Sequence, residues 1–255
     1  MIGFIDADIL TGRSKFPNLA IMKLSGFHKS NGRDASLYCY DISEQLDKVH
    51  SVPFLNDLYS SLEKVSVSKV FSDPPLPDRY ICNRLGNVSY GGTGSGYPVV
   101  RLDKYIEECQ FPDYSIYDDY VEYRLKSGAR PIDLQYYRDW SIGFITRGCF
   151  RKCPFCVNTH YDQVKKCSAP SSFVDKSRKY ICLLDDNFLA YSQFEKELDE
   201  LESFDKPFQF KQGLDFRLMT RHSMERFTKT KWRGDFIFAF DNINEKDVII
   251  RNLSN

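Results

Sequence analysis

A short apolar strand, SIGFITRG, runs directly into three cysteines, Cys149, Cys153 and Cys156, within the stretch TRGCFRKCPFCVN. A strand that ends in a group of thiols delivers them to one edge of a sheet, so this junction favours folds in which strand ends carry the chemistry. The surrounding text agrees, because strand and helix patterns alternate on both sides of it. That alternation points to an α/β class rather than to a run of one element.

In the first part of the chain, IGFIDAD reads as a short buried strand, and PNLAIMKLSGFHKSNG as a helix with Pro17 in its first turn and Gly32 near its end. SLYCYDI is a second strand, about Pro53 to Glu63 a helix, and KVSVSKVF a third strand. LGNVSYGGTGSGY is then a strand running into a glycine-rich loop. These elements predict a small Rossmann-like open-sheet domain over residues 1–112. The text from Cys109 to Trp140 is crowded with Asp, Tyr and Pro and reads as a connector, taken as 113–140. Over 141–255 the alternation resumes with strands at SIGFITRG, KYICLLDDN, PFQFKQGLDFRL and GDFIFAFDN. Helices are expected at about Ser192 to Phe204, Thr220 to Lys229 and from Asn244 onward. Polar residues gather just past these strands: Asp185, Asp186 and Asn187, then Gln212, Asp215 and Arg217, then Asp241 and Asn242.

A formal net charge of +0 and a sequence pI near 6.9 argue against a broad basic face for nucleic acid. The local patch TKTKWRG reads as a solvated helix end. MIGFIDADIL lacks a basic leader and carries Asp6 and Asp8 where a signal peptide would be apolar. No apolar run approaches the roughly 20 residues that span a bilayer. The expected setting is therefore cytoplasmic, where thiols stay reduced and clustered cysteines bind metal or act in catalysis. Of the eight cysteines, Cys39, Cys82, Cys109 and Cys182 are isolated, and Cys39 and Cys182 lie in strand-like text as small core residues.

The remaining question is what needs three thiols with no obvious fourth. Three thiolates can hold three irons of a four-iron cluster, leaving the fourth iron open to a small ligand. A structural zinc ion instead wants four ligands in a closed shell. His160 or Cys167 would have to complete it, and neither forms a familiar pair of knuckles. Arg147, Arg151 and Lys152 around the loop favour thiolates without choosing the metal.

The segment RGCFRKCPFC resembles the cluster loop of the radical S-adenosylmethionine enzymes in spacing, in the aromatic before the last cysteine and in following a strand. The resemblance implies that Cys149, Cys153 and Cys156 bind a 4Fe-4S cluster whose open iron takes the amino and carboxylate groups of S-adenosylmethionine. It also implies an electron donor such as flavodoxin or ferredoxin, and reductive cleavage to a 5′-deoxyadenosyl radical that abstracts hydrogen from a substrate the sequence does not identify. Phe155 would contact the adenine through its backbone. Asp186 and Asn187 would bind the methionyl amino group, and Gln212, Asp215 and Arg217 would reach the ribose or carboxylate.

The upstream segments FPNLAIMKLSGFHKSNG, SKVFS, GGTG and PDYSIYD resemble the N-terminal cobalamin-binding-like domain of one branch of that family. The Asp-x-His-x-x-Gly signature for a lower cobalamin ligand is absent, since His28, His50, His160 and His222 lie in other contexts. GGTGSG reads as a tight turn or as a cradle for a corrin edge or phosphate. The family's catalytic domain is commonly a partial barrel of six strand–helix units, and about four are legible here, so the domain is expected to be incomplete. Two alternatives to a working enzyme stay open: a zinc-stabilised binding module, and a shortened relic that binds a cluster without turnover. Cys149→Ala, Cys153→Ala or Cys156→Ala should each abolish iron loading on anaerobic reconstitution, whereas Cys167→Ala should not; full iron content in any of the first three would contradict the assignment.

Overall fold

Strand β1 (Ile2–Asp6) is buried along its whole length, and a strand apolar on both faces belongs in the interior of a parallel sheet. It lies between β2 (Ala35–Leu37) and β3 (Lys64–Ser68), and β4 (Val88–Gly91) follows outside β3, giving the order β2-β1-β3-β4. All three pairings are parallel. The computed structural model describes residues 1–10, 14–38, 60–71, 87–94, 101–239 and 242–254. The chain divides into two units, Met1–Arg138 and Asp139–Asn255, each an α/β assembly of parallel strands and helices. Among the described residues, no helix is long and apolar enough to cross a membrane.

In the first unit the helix Leu19–Ser30 starts two residues later than Pro17 suggests, because Asn18 is its N-cap and accepts from the amides of Ala20 and Ile21. Gly32, at φ +72°, ends it in the left-handed region. The glycine-rich turn after β4 is a place of close backbone approach. A Cβ on Gly92 would meet the Lys69 carbonyl oxygen at 2.0 Å, and one on Gly94 would meet that of Phe71 at 2.3 Å. Its last residues, Ser95 and Gly96, lie outside the described residues. So do Cys39, Cys82, His50, Asp241, the later part of SLYCYDI and most of the helix expected at 53–63.

The second unit contains β5 (Trp140–Gly143), a two-residue antiparallel ribbon of β6 (Thr146–Arg147) and β7 (Lys165–Lys166), β8 (Tyr180–Leu183) and β9 (Phe208–Phe210). β5, β8 and β9 form a parallel sheet in that order. Two of the expected strands are broken. PFQFKQGLDFRL is strand only at Phe208–Phe210, because Gly213 turns at φ +82° and Asp215 caps a 3-10 turn at Phe216–Leu218. Among the described residues, GDFIFAFDN pairs through a parallel bridge between Leu214 and Phe238, and just before it a second bridge joins Phe208 to Trp232. The helices Phe194–Glu202 and Arg221–Thr228 supply Leu198, Leu201 and Phe227 to a core that also holds Ile181, Phe188, Phe208 and Phe210. A further helix, Lys246–Ser254, follows.

The segment expected as a connector behaves differently: through Arg138 it belongs to the first unit. The physical reason is a buried polar lock at the end of β1. Tyr117 Oη donates to Asp6 Oδ2 at 2.6 Å and accepts from the Asn18 amide at 3.0 Å, while Asn18 Nδ2 donates to Ser68 Oγ at 2.8 Å. Tyr137 packs its ring at a tilt against both Tyr117 and Tyr120, with centroids 5.2 Å from each. Burial pushes the Asp6 carboxyl up to about 7, against a partly offsetting hydrogen bond from Tyr117. An acid raised from 3.8 to about 7 disfavours its ionised form by on the order of 4 kcal/mol. Stability from the neutral acid is therefore complete below about pH 4 and is lost as pH rises through about 7. Urea unfolding of the wild type should lose stability across this window relative to Asp6→Asn; equal pH slopes in the two proteins would contradict the lock.

Candidate functional site

The three cysteines sit in one loop, residues 148–164, closed at its base by the β6–β7 ribbon, in which Thr146 faces Lys166 and Arg147 faces Lys165. Gly148 enters the loop at φ +97°, and a Cβ there would meet the Gln163 carbonyl oxygen at 2.4 Å. Only glycine combines that dihedral with that approach. Within the loop the Cys156 amide donates to the Cys153 carbonyl at 3.0 Å. Two sulfurs accept backbone bonds: Cys149 Sγ from the Arg151 amide at 3.4 Å and Cys156 Sγ from the Asn158 amide at 3.3 Å. All three cysteines are half-buried and outside any disulfide among the described residues. Cys182, by contrast, is fully buried with its thiol pushed up to about 12 by desolvation, as suits a core residue.

The cations near the loop have other partners. Lys152 Nζ bonds the Thr159 carbonyl and the Asp162 carboxylate, both at 2.7 Å, as well as the Tyr161 carbonyl. The Arg147 guanidinium lies 4.0 Å from the centre of the Phe144 ring. Arg151 reaches Asp215 through Nε, and no bond from its Nη1 or Nη2 is seen among the described residues.

Past the end of β8, three consecutive polar residues do three different things. Asp185 is fully buried and accepts from the Ile145 amide at 3.2 Å and from the Thr146 amide and hydroxyl, each at 2.6 Å. Burial raises its carboxyl to about 6 against these three donors. Asp186 accepts from the Gly148 amide and from Asn158 Nδ2, each at 2.7 Å. Asn187, 4% exposed, donates from Nδ2 to Cys149 Sγ at 3.4 Å and to Asp215 Oδ2 at 3.2 Å. Its Oδ1 is buried and has no hydrogen-bond partner among the described residues. Turning the amide over would aim that oxygen at a sulfur and a carboxylate, so the donors point as described.

Past β9, Asp215 is a second hub. It accepts from Arg151, from Asn187 and from Arg217 Nε, the last at 2.5 Å. Burial works against its charge, but the bonds from Arg217 and Arg151 outweigh it and hold the carboxyl below the usual range. Arg217 also grips both oxygens of Glu245, at 2.6 and 2.7 Å. Two carboxylates keep it charged despite burial. Gln212 lines the same space with no hydrogen bond among the described residues.

These residues surround one open cavity of about 760 Å³. The three cysteines, Asn187, Arg151 and Asp215 form its polar side, and Leu214, Ile237, Phe238 and Ala239 form an apolar wall. Phe155 stands 69% exposed over it. The sequence nominated the cysteines, Phe155, Asp186, Asn187, Gln212, Asp215 and Arg217, and all of them line this cavity. Sequence reasoning missed the tie between Arg151 and Asp215, the part played by Asn158, and the wall at 237–239. It also passed over the anchoring role of Asp185, although the doublet Asp185-Asp186 at a strand end was a usable signal. Among the described residues, no group of three or more His, Cys, Asp and Glu side chains stands in position to hold a metal ion.

The chain matches no family model, no curated protein and no solved structure. Asp185→Ala would leave three buried donors without an acceptor and should destabilise the second unit by about 3 kcal/mol or more. Thr146→Val, which removes only the hydroxyl, should cost about 1 kcal/mol. Denaturant unfolding measures both; an Asp185→Ala loss no larger than that of Thr146→Val would contradict the anchoring role.

Proposed function

We propose that the chain is a radical S-adenosylmethionine enzyme, in which Cys149, Cys153 and Cys156 hold a 4Fe-4S cluster and the cavity beside them receives S-adenosylmethionine. The observation that carries this reading is the unsatisfied Asn187 Oδ1, a buried acceptor in the cavity that the three cysteines also line. A buried acceptor without a donor is costly, and an N–H donor such as the amino group of S-adenosylmethionine would satisfy it. Arg151 is held through Nε alone, so its outer edge offers two nitrogens to a carboxylate. The Phe155 ring and the wall at Ile237 and Phe238 suit a flat, largely apolar group such as a purine. An amino acid joined to a nucleoside presents all three features, and the cavity lies in the size range of cofactor sites.

The donor set also weighs against zinc. A structural zinc ion wants four ligands in a closed shell, whereas this loop carries three cysteines. Three thiolates suffice for a four-iron cluster that leaves one iron open. When bound, the cluster and S-adenosylmethionine supply one-electron reductive cleavage to a 5′-deoxyadenosyl radical, with the electron coming from a flavodoxin- or ferredoxin-like donor. The chain's residues bind, orient and shield. Asn187 accepts from the amino group, Arg151 pairs with the carboxylate, and Asp215 fixes the direction of both. Arg217, already held by two carboxylates, acts as a brace.

The fold is compatible with this reading at both ends. Three parallel strands with helices between them are what part of a (β/α) partial barrel would present. The order β2-β1-β3-β4 is that of doubly wound sheets, the class of a cobalamin-binding-like domain. Cobalamin itself gains no support, since Gly92 and Gly94 are filled by neighbouring carbonyls. The test is anaerobic reconstitution with iron and sulfide, reduction with dithionite, and assay for 5′-deoxyadenosine. Formation of 5′-deoxyadenosine is expected, and iron loading without cleavage, or zinc binding, would contradict the proposal. Arg151→Gln should weaken S-adenosylmethionine binding about 10-fold or more, whereas Arg217→Gln should chiefly lower stability; the reverse ranking by calorimetric titration would overturn the assignment of the carboxylate contact.

A further inference from the structure

We infer that Asp186 is a positioning residue that clasps the cysteine loop shut, and that it is not a contact for the bound ligand. Both of its oxygens are engaged at 2.7 Å, Oδ2 by the Gly148 amide and Oδ1 by Asn158 Nδ2. Gly148 immediately precedes Cys149, and Asn158 lies two residues beyond Cys156, so one short side chain grips both ends of the stretch that carries all three thiols. Both bonds are charge-assisted, and a planar carboxylate fixes the separation of the two donors it holds.

Each arm connects directly to a sulfur. On one side the Gly148 backbone is already constrained by its left-handed dihedral and by the Gln163 carbonyl, so fixing its amide fixes the start of Cys149. On the other side Asn158 is held at two points, its side chain by Asp186 and its amide by Cys156 Sγ at 3.3 Å. The spacing between the first and last thiols is therefore set by Asp186. Ligand recognition at this strand end passes to Asn187, whose Oδ1 is the acceptor without a partner. The consequence for iron rests on the proposed cluster, whereas the clasp itself is a property of the metal-free chain.

An exchange of the two side chains separates the possibilities. Asn158→Asp sets one carboxylate against another and loses the arm between positions 186 and 158, whereas Asp186→Asn alone can be accommodated by turning the Asn158 amide over. The double variant D186N/N158D restores both arms: the new amide oxygen accepts from Gly148 N, and its NH₂ donates to the carboxylate introduced at position 158. The volume barely changes, so this pair stays informative even if Asp186→Ala does not fold.

Two readouts apply to the full-length chain. In metal-free protein, hydrogen exchange at the Gly148 amide should accelerate about 10-fold or more in Asp186→Ala and return towards the wild-type rate in D186N/N158D. After anaerobic reconstitution, iron retained against a chelator should fall about 10- to 100-fold in Asp186→Ala and Asn158→Asp and recover in the double variant. Unchanged exchange in Asp186→Ala would overturn the clasp. So would a double variant no better than Asn158→Asp, or intact iron retention accompanied by weakened S-adenosylmethionine binding. A wild type that takes up no iron would sink the cluster reading, and the exchange rates would then decide for or against the clasp by themselves.

Discussion

Two adjacent carboxylates at the end of one strand organise the reactive edge of the second unit. A parallel sheet leaves the amides of its departing loops without strand partners at the carboxyl ends, and each needs an acceptor where it is buried. Leu184 makes the last ladder bond, donating to the Gly143 carbonyl at 2.9 Å. Asp185 and Asp186 then take over as acceptors. Successive side chains in extended backbone point to opposite sides, so the first turns to the buried corner at Ile145 and Thr146 and the second to the loop at Gly148 and Asn158. The corner sets where the cysteine loop begins, and the clasp sets how wide it opens. Asn187, next in sequence, is thereby delivered to the side of Cys149.

The first unit uses the same device at the end of β1. Asp6 accepts from Tyr117 and from the Asp8 amide, and Asp8 accepts from the amides of Val70 and Phe71 at 2.8 and 3.1 Å. Burial raises both carboxyls. At Asp8 the amides of Val70 and Phe71 oppose that rise, whereas at Asp6 complete burial outweighs the bond from Tyr117 and favours the neutral acid. The aspartates that make the N-terminal text a poor signal peptide are thus the fittings that join strand, helix and tyrosine cluster.

Much of this was legible in the sequence because it is local. Buried strands such as IGFID and YICL are continuous apolar runs, and the glycine before Cys149 marks a backbone position that no other residue fills. What could not be read depends on partners far along the chain. The tyrosines of the segment expected as a connector gave no local sign that Tyr117 would bond Asp6 across 111 positions. PFQFKQGLDFRL has strand composition throughout, yet Gly213 and the Asp215 cap break it after three residues. Residue types alone placed Asp186 and Asn187 on an equal footing and nominated Arg217 rather than Arg151 for the ligand. Hydrogen bonds separate them: both oxygens of Asp186 are engaged and Arg217 is held by two carboxylates, while Asn187 Oδ1 and the Arg151 Nη groups make no bond among the described residues.

The most direct measurement is Mössbauer spectroscopy of the protein reconstituted with iron-57, before and after S-adenosylmethionine is added. Three cysteine-held irons and one open iron predict signals in a 3:1 ratio, with only the minor component moving when the ligand binds. Four equivalent irons, or a minor component indifferent to S-adenosylmethionine, would contradict the open site formed by Cys149, Cys153 and Cys156.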